Sequence, residues 1–335
     1  MTNREELNKA EILITHVRQQ LTLILQSEQA FDSCRLFHGR GKTFAGLEWC
    51  CVDYFYPAMV LTFFQEPEKD FESRVKELLI ELVSQPVHVA VQSHDAFVMD
   101  SIMVQRRYLP GAPFECWWGQ PPEELYARRD ELKFQLSFGQ QNIGYFLDIE
   151  PARKWLETTV ASLHRHGKDV KVLNLFAYTC AFSVVAKKAG AQRVVNIDLS
   201  KKSLATGRKN HLLSGVSSDN VSFLPHDIFK SWGKLRKNGP YDVVIIDPPS
   251  FQKGSFIASK DYARLLTKMP DLVASDGVFL ACLNAPEIKR RDFQKQVEQH
   301  CPEFACTDIL APDKDFPEAE PERALKLLVF QKNNV

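Results

Sequence analysis

Beyond Lys168 the chain settles into a regular alternation that few folds can satisfy. Strand-length apolar runs fall at Val170–Leu175, Arg193–Ile197, Val221–Leu224, Asp242–Ile246, Val278–Leu283 and Phe304–Leu310, with Leu325–Phe330 last. Helical stretches lie between them, at Phe182–Ala189, Lys201–Leu213, Lys260–Val273 and Asp292–His300. Strands this uniformly apolar are buried on both faces, which requires helices on either side of a parallel sheet. The spacing predicts an α/β domain. In such sheets ligands bind past the carboxyl ends of the strands, where strand order reverses, so the residues following each strand are where chemistry is sought.

The upstream part reads differently. Leu7, Ala10, Ile14, Val17, Leu21 and Ile24 recur at spacings of three and four, predicting one amphipathic helix. A narrow seam of this kind suits a coiled-coil dimer, but Leu13, Leu23 and Leu25 widen it, which favours docking on the protein's own body. Val60–Phe64, Val87–Val91 and Phe97–Val104 read as strands, and Asp70–Val83 as a helix. Leu132, Phe134, Leu136 and Phe138 alternate with polar residues, predicting a half-buried strand that turns at Gly139–Asn142 and returns at Ile143–Leu147. The expected organisation is a helix over residues 1–33, an α+β substrate-recognition module over 34–150, and the α/β domain over 151–335.

Composition narrows the function classes. Lys+Arg and Asp+Glu both number 42, so the formal charge is zero and any nucleic-acid site must be a local patch. The eight cysteines include no C-x-x-C and no paired Cys/His clusters, which argues against a disulfide framework, a zinc site or a redox pair. No metal is expected. The first residues lack an apolar signal region, and the apolar stretch Tyr54–Phe64 contains Pro57 and is too short to span a bilayer. The expectation is a cytoplasmic protein without a membrane partner.

At the strand ends, Asn174-Leu-Phe-Ala-Tyr-Thr-Cys-Ala-Phe182 forms a strand-to-helix turn without G-x-G-x-x-G, which disfavours a dinucleotide and hence a dehydrogenase. Asp198 ends the second strand, where a carboxylate accepts from ribose hydroxyls; alternatively it only precedes the helix cap Ser200. His226-Asp227 follows the third strand, and Asp247-Pro-Pro-Ser-Phe251 follows the fourth. Two prolines stop the sheet and stiffen a loop whose aspartate and aromatic can align a planar substrate.

These residues resemble the class I S-adenosylmethionine-dependent methyltransferases, and within them the bacterial 23S ribosomal RNA methyltransferases of cytosine C5 and guanine N7. The resemblance rests on Val172-Leu-Asn-Leu-Phe-Ala-Tyr-Thr, Asp198 with Ser200, Asp227-Ile-Phe229 and Asp247-Pro-Pro-Ser-Phe251, with Gly144-Tyr-Phe-Leu-Asp148 and Gly46-Leu-Glu-Trp upstream. It implies a Rossmann-like sheet, mostly parallel with an antiparallel final strand, S-adenosylmethionine as cofactor, and ribosomal RNA as partner. It also implies cofactor contacts at Asp148, Asn174, Phe176, Tyr178, Thr179, Asp198, Ser200, Asp227, Ile228 and Asp247. Among these, Asp198 serves the ribose, Asp227 the adenine, and Tyr178 and Asp148 the methionine end; Asp247, Phe251 and Asn284 serve the acceptor.

Two departures bear on chemistry. Cys180-Ala181 stands where the family has a glycine pair, and Asn284 stands where the cytosine-C5 enzymes place a nucleophilic cysteine, with Cys282 two residues earlier. Methylating cytosine C5 needs a thiolate to add to the ring first, whereas guanine N7 already carries a lone pair and needs mainly alignment. The expectation is nitrogen methylation of the guanine-N7 type. Cytosine-C5 methylation, a protein or small-amine acceptor, and a cofactor-binding module without transfer stand as alternatives. Phosphate-holding candidates are Arg35, Arg40, Lys42, Arg106, Arg107, Arg153, Arg264, Lys289, Arg290 and Arg291, with Trp117 and Trp118 available for stacking.

Overall fold

The computed structural model describes residues 3–84, 98–249, 251–252 and 256–333. The chain divides into two compact units, residues 1–147 with 314–319, and residues 148–313 with 320–335.

The first unit opens with helix α1 (Asn3–Leu25) and continues through β1 (Cys34–His38), β2 (Cys50–Phe55), β3 (Ala58–Phe63), α2 (Lys69–Ser84), β4 (Ser101–Arg106), β5 (Phe114–Gly119), β6 (Tyr126–Arg129) and β7 (Leu132–Gln135). Strands β1 to β5 form one sheet in chain order, antiparallel except for the parallel pair β3–β4 that α2 connects. Ala10, Leu13, Ile14, Val17, Leu21 and Leu25 of α1 are buried in one core with Phe71, Val75 and Leu79 of α2 and Val52, Leu61 and Ile102 of the sheet. The apolar stripe of α1 is thus consumed within its own unit, and Arg74 binds Glu11 at 2.7 Å across the helix pair.

The expected strand at Val87–Val91 lies outside the described residues. A second expectation is corrected. The alternating run from Leu132 is a strand, but it pairs with Tyr126–Arg129, and Ile143–Leu147 is not a strand. Asp130 takes the left-handed conformation (φ 51°) in a two-residue turn, a role its short side chain tolerates. Tyr126–Arg129 carries two arginines and no run of apolar residues, so its pairing with Leu132–Gln135 leaves no local strand pattern in the sequence.

The second unit holds α3 (Glu150–Arg165), β8 (Lys171–Leu175), α4 (Ala181–Lys188), β9 (Arg193–Asp198), α5 (Lys201–Leu213), β10 (Val221–Pro225), α6 (Trp232–Asn238), β11 (Tyr241–Ile246) and the short β12 (Phe251–Gln252) and β13 (Phe256–Ile257). Then follow α7 (Ala258–Leu266), α8 (Met269–Leu272), β14 (Val273–Leu283), α9 (Arg290–His300), β15 (Phe304–Ile309) and β16 (Lys326–Lys332). The helix expected over Lys260–Val273 is two pieces, the second opening at Pro270, which suits a first turn but not a helix interior.

The sheet order is β10-β9-β8-β11-β14-β16-β15, with β16 antiparallel to both neighbours and the rest parallel. Every residue of β11 is buried. Leu173, Ile197, Val244 and Ala281 pack with Leu265 of α7 and Phe293 of α9 on one face, and Val172, Val243, Ile245 and Cys282 with Leu156 of α3 and Phe182 of α4 on the other. This is the doubly covered parallel sheet that the alternation predicts, with the Rossmann-like order and antiparallel late strand that the resemblance implies. Among the described residues no helix is long and apolar enough to cross a membrane. Nor does any group of three or more His, Cys, Asp or Glu there form a candidate metal site.

Candidate functional site

Strand order reverses between β8 and β11, and the parallel register aligns their ends: Leu175 sits opposite Ile197 on one side and Ile246 on the other, Asp198 opposite Pro225, and Ile246 opposite Ala281. The residues that follow are therefore brought to a single edge in the order Asp227, Asp198, the Phe176–Cys180 turn, Asp247 and Asn284. Three strand spacings separate the first carboxylate from Asp247, roughly 14 Å. That is room for a nucleoside carrying a short amino-acid tail.

The turn after β8 is a strained piece of backbone. Phe176, Tyr178 and Cys180, none of them glycine, have φ of 56°, 46° and 60°. Each such conformation costs on the order of 1–2 kcal/mol and persists only where the surroundings impose it. Here they do. Ala177 N–H donates to the Ile197 carbonyl (3.0 Å) and Cys180 N–H to the Ala177 carbonyl (2.7 Å). Tyr178 N–H donates to Asp198 Oδ2 (2.9 Å), and the Thr179 carbonyl accepts from Asn210 Nδ2 (2.9 Å).

The missing glycine pair has a structural counterpart across the turn. A Cβ on Gly207 of α5 would lie 2.5 Å from Cys180 Sγ, so the cysteine side chain fills the space that a helical glycine leaves. Glycine inside a helix costs about 1 kcal/mol, which is the sequence signal that could have located this contact.

Asp198 Oδ1 also accepts from Ser200 N–H (2.7 Å). Each carboxylate oxygen has taken one amide hydrogen and keeps acceptor capacity for another, as two neighbouring hydroxyls require. Burial pushes its carboxyl up, opposed by those two amide bonds. Ser200 Oγ accepts from Ser203 N–H (3.1 Å) and caps α5. Asp227 caps a short 3-10 turn through Phe229 N–H (2.9 Å), and Ile228 within that turn is core.

Asn174 is placed below the turn. Its amide donates to Asn196 Oδ1 (2.9 Å), Asn196 Nδ2 to Ser183 Oγ (2.9 Å), and Ser183 pairs with His211 Nε2 (2.9 Å). This buried polar chain fastens α4 and α5 to β8 and β9. Burial lowers His211 to about 4, so its ring is neutral there.

Among the carboxylates at the strand ends, Asp247 is the most strongly perturbed. Burial, then the nearby Asp148 carboxylate, push it up to about 7, with Arg153 opposing. Arg153 itself is 2% exposed and binds Glu150 at 2.8 Å. Asp247 thus feels a second carboxylate, and the one guanidinium that opposes this, Arg153, is itself engaged with Glu150. The site accommodates an added positive charge. S-adenosylmethionine brings a sulfonium and an ammonium, so the donor set fits it; Asp198 and Asp227 would hold the nucleoside, and the Phe176–Cys180 turn with Asp148 and Asp247 the methionine end.

Sequence reasoning missed Tyr262 and Phe256. The Tyr262 hydroxyl, on a ring 1% exposed, lies 3.0 Å from the Cys282 carbonyl and 3.3 Å from that of Ile246, tying together the last residues of β14 and β11. Phe256 is buried between Phe176 (5.2 Å) and Phe229 (6.4 Å), and Arg264 stands 4.1 Å over Phe229. The side chain of Phe251, expected to stack on the substrate, lies outside the described residues; its backbone pairs with Ile257. Asn284 is exposed, whereas Cys282 is fully buried and its thiol is held well above the usual range by burial, then by Asp247.

Most of the basic candidates are committed to acids. Arg35 binds Asp53, Arg106 binds Glu72 and Glu115, Arg264 binds Asp261, and Arg290 binds Glu322. Trp117 belongs to the core of the first unit.

Known proteins resemble this chain in sequence and in fold. Ribosomal RNA large subunit methyltransferase I of Aeromonas hydrophila is 35% identical over 158 residues, 46% of this chain and 38% of that protein. Ribosomal RNA large subunit methyltransferase K/L of Psychrobacter cryohalolentis is 34% identical over 160 residues, 45% of this chain and 20% of that protein. The match thus takes in less than half the length of either relative. The solved structure of SMU.776 with bound SAH superposes with a TM-score of 0.80 at 22% identity, covering 97% of this chain and 81% of that one, which establishes the shared fold. The sequence pattern of the S-adenosylmethionine-dependent methyltransferases matches residues 34–331, and this chain belongs to that family.

Proposed function

We propose that this enzyme methylates a nitrogen of a base in large-subunit ribosomal RNA, in the manner of guanine N7. The curated relatives named above support the substrate class. One observation carries the choice of atom: the strand end that faces the acceptor exposes Asn284, while Cys282 is sealed in the core as a neutral thiol. A nucleophilic thiolate needs access and a depressed pKa, and Cys282 has neither. Guanine N7 offers an unprotonated lone pair, so the chain need only orient it.

The cofactor supplies an electrophilic methyl group. The residues do the rest: Asp198 and Asp227 fix the nucleoside, the strained turn and Asp148 hold the methionine end, and Asp247 with Asn284 accepts and donates hydrogen bonds to the base edge. A base inside folded RNA must leave its stack to reach them.

The test is methyl transfer from labelled S-adenosylmethionine to ribosomal RNA from cells lacking this protein, followed by nucleoside mass analysis. Labelled 7-methylguanosine is the expected product. Labelled 5-methylcytidine would overturn the role given to Asn284 and promote Cys282. No label on RNA, despite cofactor binding, would move the acceptor to a protein or leave a silent binding module.

A further inference from the structure

In a chain with equal numbers of acids and bases, an arginine without an acidic partner stands out. Arg40 and Arg107 form no ion pair among the described residues, and both stand on the ring of Phe64. Their guanidinium carbons are 4.3 and 5.2 Å from its centre. Among the described residues the Arg107 guanidinium makes one hydrogen bond, a 3.4 Å contact to the neutral Asn142 side chain. Arg35 nearby is neutralised by both oxygens of Asp53, at 2.7 and 3.0 Å. Arg107 therefore gives up its proton more readily than an ordinary guanidinium, through burial first and then the charge of Arg40. Positive charge is concentrated here with no Asp or Glu in ion-pair contact with either guanidinium among the described residues.

The backbone that presents Arg40 is built for the purpose. Gly39-Arg40-Gly41 is a single 3-10 turn closed by Lys42 N–H on the Gly39 carbonyl (2.9 Å). A Cβ on Gly39 would sit 1.9 Å from the Leu47 carbonyl oxygen, and one on Gly41 1.8 Å from that of Pro317. Backbone presses against both glycines, so neither tolerates a side chain. Between them Arg40 projects, exposed, from a turn packed closely on both sides. Arg107 leaves the end of β4, where its N–H bonds the Phe63 carbonyl at 2.8 Å.

Two guanidiniums pre-ordered on one aromatic ring lose little entropy on binding and match the oxygens of a phosphate in forked geometry. A polymer with a phosphate at every residue can engage both at once. We propose that Arg40 and Arg107, seated on Phe64, form a phosphodiester clamp that holds the RNA substrate on the amino-terminal unit. This rests on the RNA methyltransferase reading above and adds the surface that grips the backbone.

The experiment compares wild type, Arg40→Gln and Arg40→Gln/Arg107→Gln for binding to an unmodified 23S ribosomal RNA transcript between about 50 and 200 mM salt. Arg74→Gln, whose charge is already paired with Glu11, is the control. Each lost phosphate contact should reduce the slope of log K against log salt by about 0.7 on single-stranded RNA. The double variant should lose about 1.4 in slope and roughly 25-fold in affinity near 100 mM salt. Its KM for RNA should rise in step, while kcat and S-adenosylmethionine binding hold. Arg40 is exposed, so the single variant folds even if the double does not, and half the effect suffices. Wild-type slope and affinity in Arg40→Gln, or an equal loss in Arg74→Gln, would overturn the clamp while leaving the enzyme reading intact. A wild type that neither binds nor methylates the transcript would overturn both.

Discussion

Replacing Asp247 with asparagine removes a charge that the folded chain holds at a cost. The carboxyl titrates near 7 in the fold, against an ordinary 3.8. Between those values the native protein keeps a proton that the unfolded chain has released. Stability therefore falls as pH rises through this window, and no further loss occurs above about 7. A shift of about three units corresponds to about 4 kcal/mol as an upper bound, and water at the half-buried edge of the residue reduces this to 2–3 kcal/mol. Asparagine has nearly the same shape and no such dependence. In the absence of cofactor, Asp247→Asn should gain less than about 1 kcal/mol over wild type near pH 4.5 and about 2–3 kcal/mol near pH 8, read by urea unfolding at each pH. Cofactor affinity should move in the opposite direction. The ionised carboxylate is the form that favours a cation, so wild-type affinity for S-adenosylmethionine should climb up to tenfold per pH unit below 7 and level off above it. The variant should bind weakly, with a flat profile. A stability gain equal at both pH values, or a gain that shrinks as pH rises, would refute the account of Asp247 as a strained charge awaiting a positive partner.

Three further outcomes follow from the site. Gly207→Ala places a methyl against Cys180 Sγ and should weaken cofactor binding about tenfold or more by displacing the turn; adding Cys180→Gly should restore most of it, and simple additivity of the two losses in a calorimetric double-mutant cycle would sink the pairing. Tyr262→Phe removes the hydroxyl shared by the ends of β11 and β14, and should cost about 1–2 kcal/mol in thermal stability and lower kcat more than it raises KM; unchanged turnover would show that the strand ends hold their spacing without it. Asp198→Ala removes the acceptor for Tyr178 and Ser200 N–H and should weaken cofactor binding far beyond a surface change such as Asp219→Ala, with equal dissociation constants counting against the ribose role.

The sheet was legible because its strands are buried on both faces, leaving uninterrupted apolar runs whose lengths and spacing admit little else. The first unit was less so. Its strands β1, β2 and β5 include Arg35, Asp53 and Glu115, whose charges are satisfied across to neighbouring strands, so no pattern within a strand announces them. At the site, the carboxylates at successive strand ends could be read in advance because position after a strand is a property of sequence order. Their partners could not. That Asn174 would spend its amide on Asn196, or that Tyr262 would reach back to two strand ends, depends on which residues the sheet register places side by side.

The turn after β8 shows how a motif can be absent while its geometry survives. Glycine is favoured in such turns because left-handed backbone is free to it, and because a ligand can then approach the chain closely. Here Phe176, Tyr178 and Cys180 adopt left-handed angles without that freedom, and the strain is offset by bonds to Ile197, Asp198 and Asn210 and by a glycine relocated to the neighbouring helix. The requirement for a small residue has moved from the turn to the surface it packs against. A search for glycines in the turn alone would pass over this chain, whereas a search for the pair, a bulky turn residue facing a helical glycine, would find it. The same trade predicts that the turn is more rigid than a glycine-rich one, since Tyr178 and Cys180 are each held by a backbone N–H bond and Ala177 and Thr179 between and beside them by two more. Asp198 accepts the amide of Tyr178, so in the proposed arrangement the carboxylate that would take the ribose hydroxyls is also the one that fixes the backbone of the turn. Loss of that one carboxylate should therefore weaken binding at both ends of the cofactor, more than the loss of two hydroxyl contacts alone would account for.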